Sequence, residues 1–137
     1  MLSKVCKIII LVLMILNGLM FISNIYVFGN REAAIEMHDD LAPSSSELVA
    51  NTKVVVVFIV GILNLVTAIA ILRKKYSFAL AGFIGFLIFD GLYLIQIIIW
   101  AEEHPRIWID FSIFGTLSLI FGIFSLWHWK KRNLKLI

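Results

Sequence analysis

The chain carries one cysteine, Cys6. That scarcity excludes an intrachain disulfide, a thiol pair and a cysteine-based metal site, and with them any redox chemistry that needs two thiols. Cys6 itself, close to the basic start of the chain, reads as an inert thiol. Charge is scarce as well: 15% of residues are charged against 61% hydrophobic, far from the balance of an ordinary soluble domain. None of the three histidines falls in the middle of an apolar run, so no obvious general base sits there. Acidic residues are missing altogether from three segments. The start of the chain, the turn at 73–75 and the end hold Lys4, Lys7, Arg73, Lys74, Lys75, Lys130, Lys131, Arg132 and Lys135 with no Asp or Glu among them.

What the chain has instead is four long apolar runs. Four bilayer crossings of ~20 residues each use up most of a chain this short and leave no room for a soluble catalytic module. A single transmembrane domain over residues 1–137 is expected. The runs are continuous, whereas membrane-barrel strands alternate, so the spans are read as helices. The first run, 8–28, follows a basic head as in a signal peptide. It exceeds the about 7 to 15 apolar residues of such a signal and lacks a small-residue cleavage site, so it is expected to stay as the first helix.

Helices are predicted over about 5–28, 45–73, 77–101 and 105–131, with an outer loop at 29–44. Ser44 and Glu47, just after Pro43, form a capping-box pattern that would start the second helix, and Pro105 suits the first turn of the fourth. Residues 32–41 are expected to form a short interfacial helix turning Ile35, Met37 and Leu41 toward lipid. Trp100 and Trp108 would mark the outer interface, and Tyr76, Trp127 and Trp129 the inner one.

Short basic segments stay in the cytoplasm, so the sorting of charge predicts the threading. The expected fold is an all-α membrane protein, a four-transmembrane-helix antiparallel (up-down-up-down) bundle in the cell inner membrane, with both termini cytoplasmic. Loops 29–52 and 101–106, which hold most of the acidic residues, would be extracytoplasmic. The formal charge of +3 and pI near 9.2 are accounted for by insertion and anionic headgroups, so no nucleic-acid partner is expected.

Asn17, Asn64, Asp90 and the pair Thr116 and Ser118 each fall near the middle of a different run, at about the same depth. Lipid offers them no partner, so they are expected to turn inward and bond to one another. Two roles are open to Asp90: a proton carrier or cation ligand, or a neutral acid bonding to Asn17 or Asn64 and tying the bundle together. Tyr93 and Gln96 continue its face outward, as Asn24 continues that of Asn17.

Gly115, Ser118, Gly122 and Ser125 make a small-residue stripe on the fourth helix, and Ala81 with Gly85 a shorter one on the third, read as helix-packing seams. In the outer loops His38, Asp39 and Asp40 are expected to face Glu102, Glu103 and His104, with Asp110 just below, a ligand set that suits zinc or another divalent cation. No cofactor is predicted. The expected function is that of a non-catalytic binding or accessory subunit of a membrane assembly, with the lipid bilayer and either a second copy or a larger membrane protein as partners. A small oligomeric proton-coupled transporter using Asp90 is the alternative, and an outer-face divalent-metal-binding protein the third reading.

Overall fold

Ser3 opens the first helix, α1 (Lys4–Ser23), by accepting from the Cys6 N–H at 3.2 Å. The computed structural model describes residues 3–135. The side chains of Arg132 and Lys135, counted above among the C-terminal cations, lie outside the described residues.

A 3-10 turn, Asn24–Val27, ends α1. Gly29 then reverses the chain at φ +82, where a side chain would be strained, and its N–H donates to Asn51 Oδ1 at 2.9 Å. Asn30 caps the short α2 (Arg31–Met37). The long α3 (Glu47–Leu72) starts two residues later than the capping-box pattern suggests: Ser46 Oγ accepts from Val49 N–H at 3.2 Å, while the Ser44 hydroxyl donates to Glu103 at 2.5 Å.

At the far end of α3 the N–H groups of Lys74 and Lys75 return to the carbonyls of Ile71 and Ala70. This is a Schellman stop, with Lys74 at φ 57 where glycine is the usual occupant. A 3-10 turn (Tyr76–Phe78) leads into α4 (Leu80–Trp100). The last helical stretch begins at Ile107, beyond Pro105, which lies in the turn before it. It runs through α5 (Ile107–Asp110), a π-helical turn (Phe111–Gly115) and α6 (Thr116–Lys135).

Among the described residues four helices are long and apolar enough to cross a membrane: Lys4–Val27, Glu47–Leu72, Tyr76–Trp100 and Ile107–Lys131. At about 1.5 Å per residue, their 24 to 26 residues exceed the ~30 Å of a bilayer core. α1 packs on α3, α3 on α4, and α4 on α6. Large apolar side chains such as Leu16, Ile59, Leu94, Ile98 and Ile123 stand exposed around the outside.

The interior is layered. One cluster joins Leu11, Met14, Ala68, Ile71, Phe121 and Phe124. A second joins Phe21, Val57, Val60, Phe89, Tyr93 and Ile107. The third packs α2 and the following loop onto α3 through Val27, Ala34, Leu41, Ala50 and Val54. Leu41 is therefore enclosed, correcting its expected place toward lipid: the loop folds inward, while Met37 remains exposed.

Small residues set how closely these helices approach. A Cβ on Gly61 would fall 2.8 Å from Phe21 Cβ and 2.9 Å from the Gly18 carbonyl oxygen, so α1 and α3 meet backbone to backbone. The sequence-predicted stripe Gly115, Ser118, Gly122 and Ser125 is buried, with Gly122 beneath Phe86 and Ser125 against Gly82 of α4. Gly85 is buried against Leu63, and Ala81 is partly exposed.

Gly61→Ala is expected to lower stability by about 1 to 3 kcal/mol, the scale of overpacking in a tight core. Gly91→Ala, where nothing lies within 4 Å, should be neutral or mildly stabilising. Thermal unfolding of both variants in detergent checks the contrast, and equal midpoints would remove the α1–α3 contact as a constraint.

Candidate functional site

The inward face of α3 carries Ala50, Lys53, Val57, Val60, Asn64 and Thr67 at three- and four-residue spacing. Lys53 is the anomaly in this series. A lysine near a helix end ordinarily extends its amine to water, but this side chain is 1% exposed. Its ammonium lies 2.5 Å from Asp40 Oδ2, both side chains being almost wholly enclosed. Gln96 Oε1 accepts a long hydrogen bond from it at 3.5 Å. The ring centres of Tyr93 and Phe89 stand 4.2 and 5.2 Å away, so the aromatic faces share the charge.

Asp40 reaches Lys53 because the loop above it is pinned. Arg31 donates from Nε to the Ser45 carbonyl and from Nη2 to the Pro43 carbonyl, each at 2.6 Å. Leu41 and Ala42 are buried beneath that bridge. The loop thus closes over α3, and the same closure that shields Lys53 from water delivers its counter-ion.

Beside the ion pair lies an open cavity of about 220 Å³. Its polar lining is Lys53, Asp40, Asp39, His38, Tyr93, Asp110 and Asn24. Its apolar lining is Met20, Phe21, Met37, Val57, Phe89 and Phe114. Asp110 immediately precedes the π-helical turn and Phe114 lies within it, a distortion that recurs at functional sites. Two polar atoms here are enclosed without a hydrogen-bond partner, His38 Nε2 and Asp110 Oδ2. Burial, reinforced by the Lys53 ammonium and opposed by Asp40 and Asp39, pushes the His38 imidazole down to about 4. The imidazole is neutral at pH 7, which leaves one cation and three carboxylates around the cavity.

The residues expected to form one mid-depth network divide between two levels. Asn64 Nδ2 donates to Asn17 Oδ1 at 2.9 Å, joining α3 to α1. Beside them a void of about 10 Å³, also lined by Ser118, is at the lower limit for a single water. Asp90 makes no bond to this amide pair: its carboxyl meets Ser118 of α6, while Oδ1 is enclosed near Gly115 without a hydrogen-bond partner. Thr116 is exposed and donates to the Ser112 carbonyl of its own helix, so it leaves the network altogether. Tyr93, Gln96 and Asn24 belong to the Lys53 level.

The residues singled out as metal ligands do not form one ligand group. Among the described residues no group of three or more His, Cys, Asp or Glu is arranged to hold a metal ion. Asp40 is taken by Lys53 and Glu103 by Ser44, while Glu102 is exposed. His38 and Asp39 line the cavity, and His104, half-buried, encloses its Nε2 without a partner. Lys53, the centre of the site, is the residue sequence reasoning missed. The available signal was its place in an apolar series three residues after Ala50 and four before Val57.

Lys53→Met should lower stability by roughly 3 to 5 kcal/mol by stranding the Asp40 carboxylate, and Lys53→Met with Asp40→Asn should regain most of that loss. A double-mutant cycle in chemical unfolding checks this; additive losses would mean the two charges do not hold each other. His38 gives a pH signature. Its folded pKa of about 4 lies below the unfolded 6.5, so its contribution is full above about 6.5 and is lost as pH falls toward 4, by at most about 1.4 kcal/mol per pH unit. His38→Gln should flatten that part of the stability-against-pH curve. Compared with protein-family models, curated proteins and solved structures, the chain matches none.

Proposed function

We propose that this is a multi-pass inner-membrane protein, an up-down-up-down antiparallel bundle with both termini cytoplasmic. It acts as a non-catalytic binding or accessory subunit of a membrane assembly, presenting the Lys53–Asp40 cavity on the outer face. The observation that carries the binding role is the enclosed ion pair beside an open cavity. A buried pair of charges is a poor stabilising device, because its desolvation cost rivals its attraction, and a lysine inside an apolar span ordinarily serves a site. A binding role is favoured over a catalytic one because the ammonium is held by Asp40 and lies over the Tyr93 ring, leaving it unsuited to act as a nucleophile.

The threading is supported by reversed registers. Asn17 bonds Asn64 and Gly18 meets Gly61, whereas Leu11 and Met14, earlier in α1, cluster with Ala68 and Ile71, later in α3. Lys7 and Lys131 both stand over the Trp127 ring, at 5.0 and 5.3 Å, so cations from the two ends of the chain share one end of the bundle. The exposed apolar belt is the surface lipid would cover, and a second copy or a larger membrane protein would complete the assembly.

One observation favours a second reading, a small oligomeric proton-coupled transporter: the unpartnered Oδ1 of Asp90 within the third span. Two measurements on one protein separate the readings. In a Cys6→Ser background, Ser44→Cys should react with an impermeant maleimide in intact cells, and Lys74→Cys only after permeabilisation; the opposite pattern would reverse the threading. Reconstituted in liposomes under a pH gradient, the protein should carry no proton flux. Flux abolished by Asp90→Asn would replace the binding subunit with the carrier.

A further inference from the structure

From the cavity's lining we infer that it takes a small amphipathic organic cation, a primary amine whose ammonium is received by Asp39 and Asp110 and whose apolar body lies against Met20, Phe21, Met37 and Phe114. This ligand class rests on the binding reading above and deepens it. The sign of charge comes first. Lys53 and Asp40 neutralise each other at 2.5 Å, and the neutral imidazole of His38 adds no positive charge, so Asp39 and Asp110 remain on the wall as carboxylates that no lining cation holds, the exposed Arg106 acting on Asp110 from outside the lining. An anion placed there would face both with no unpaired cation among the lining residues.

A second and independent observation is the pair of unmet hydrogen-bonding atoms at the cavity. Asp110 Oδ2 and His38 Nε2 are enclosed with no partner, and the His38 side chain is nine-tenths buried. Enclosed polar atoms are ordinarily satisfied, and an ammonium offers three N–H donors, enough to serve the carboxylate and the ring nitrogen together. An inorganic divalent ion fits less well, since no three ligating side chains converge among the described residues.

The rest of the lining sets the size and body of the ligand. Thioether and aromatic side chains on one side of the space suit an apolar group, and the soft Met20 and Met37 adapt to its shape. An apolar cavity of about 150 Å³ holds benzene, and pockets for drug-sized ligands start near 300 Å³. The 220 Å³ here matches one ring with a short ammonium arm.

Binding is read by calorimetry on the full chain in nanodiscs, using 2-phenylethylamine, the neutral 2-phenylethanol and the anionic 3-phenylpropanoate. The amine should bind at least about tenfold more tightly than the alcohol, the scale of a hydrogen bond to a charged group, and the anion more weakly than either. Asp110→Asn, which replaces a carboxylate holding nothing else through Oδ2, should erase most of the amine's advantage over the alcohol. This variant also subtracts partitioning of the amine into lipid. Equal affinity for amine and alcohol, preference for the anion, or an amine advantage untouched by Asp110→Asn would each overturn the cation inference and leave the cavity as a binding site. Binding of none of the three would overturn the inference and the binding reading together.

Discussion

One enclosed ammonium dictates the arrangement of a whole end of this protein. A lone charge of this kind has a desolvation cost of several kcal/mol that no amount of neighbouring Val or Phe can offset. Once Lys53 points inward, a carboxylate must follow it, and Asp40 can do so only if its loop turns back over α3. The Arg31 bridge to the Ser45 and Pro43 carbonyls, the burial of Leu41 and the short length of α2 all serve that fold-back. The aromatic rings of Phe89 and Tyr93 then complete its shell.

The two polar levels divide the labour of specification. Asn17 with Asn64 is neutral, enclosed and beside a space too small for a solute, which suits a tie between helices. The Lys53 level is charged, open on one side and leaves donors and acceptors unmet, which suits an exchangeable guest. Glycine contacts complement both, because the backbones of α1 and α3 approach closely at Gly18 and Gly61, one residue beyond Asn17.

Much of the helical architecture was legible in the chain because hydropathy acts over whole segments. The four long apolar helices stand close to where the runs predicted them, within a few residues at each end. Details governed by single hydroxyls were not legible: Ser44, with Glu47 three residues on, is the better cap in sequence, yet its hydroxyl donates to Glu103 and Ser46 caps the helix. The site was half legible. Asp39, Asp40, His38, Tyr93 and Gln96 were all singled out, but as two unrelated groups, a metal cluster and a membrane network. Lys53 unites them, and beside the polar Asn51 and Thr52 nothing in the sequence marks its charge as enclosed. Depth was the wrong guide for Thr116, whose hydroxyl finds the carbonyl of Ser112 without leaving its own helix.

The chain order of the ion pair has a consequence for how the protein is made. Arg31, Asp40 and Lys53 all belong to the first half of the sequence, whereas Phe89, Tyr93 and Gln96 are synthesised later. As the nascent chain emerges, Lys53 and its counter-ion are both present before any aromatic partner exists, so the first half can be handed onward with the means to mask that charge. The later half then docks onto a finished surface instead of having to rescue an exposed cation.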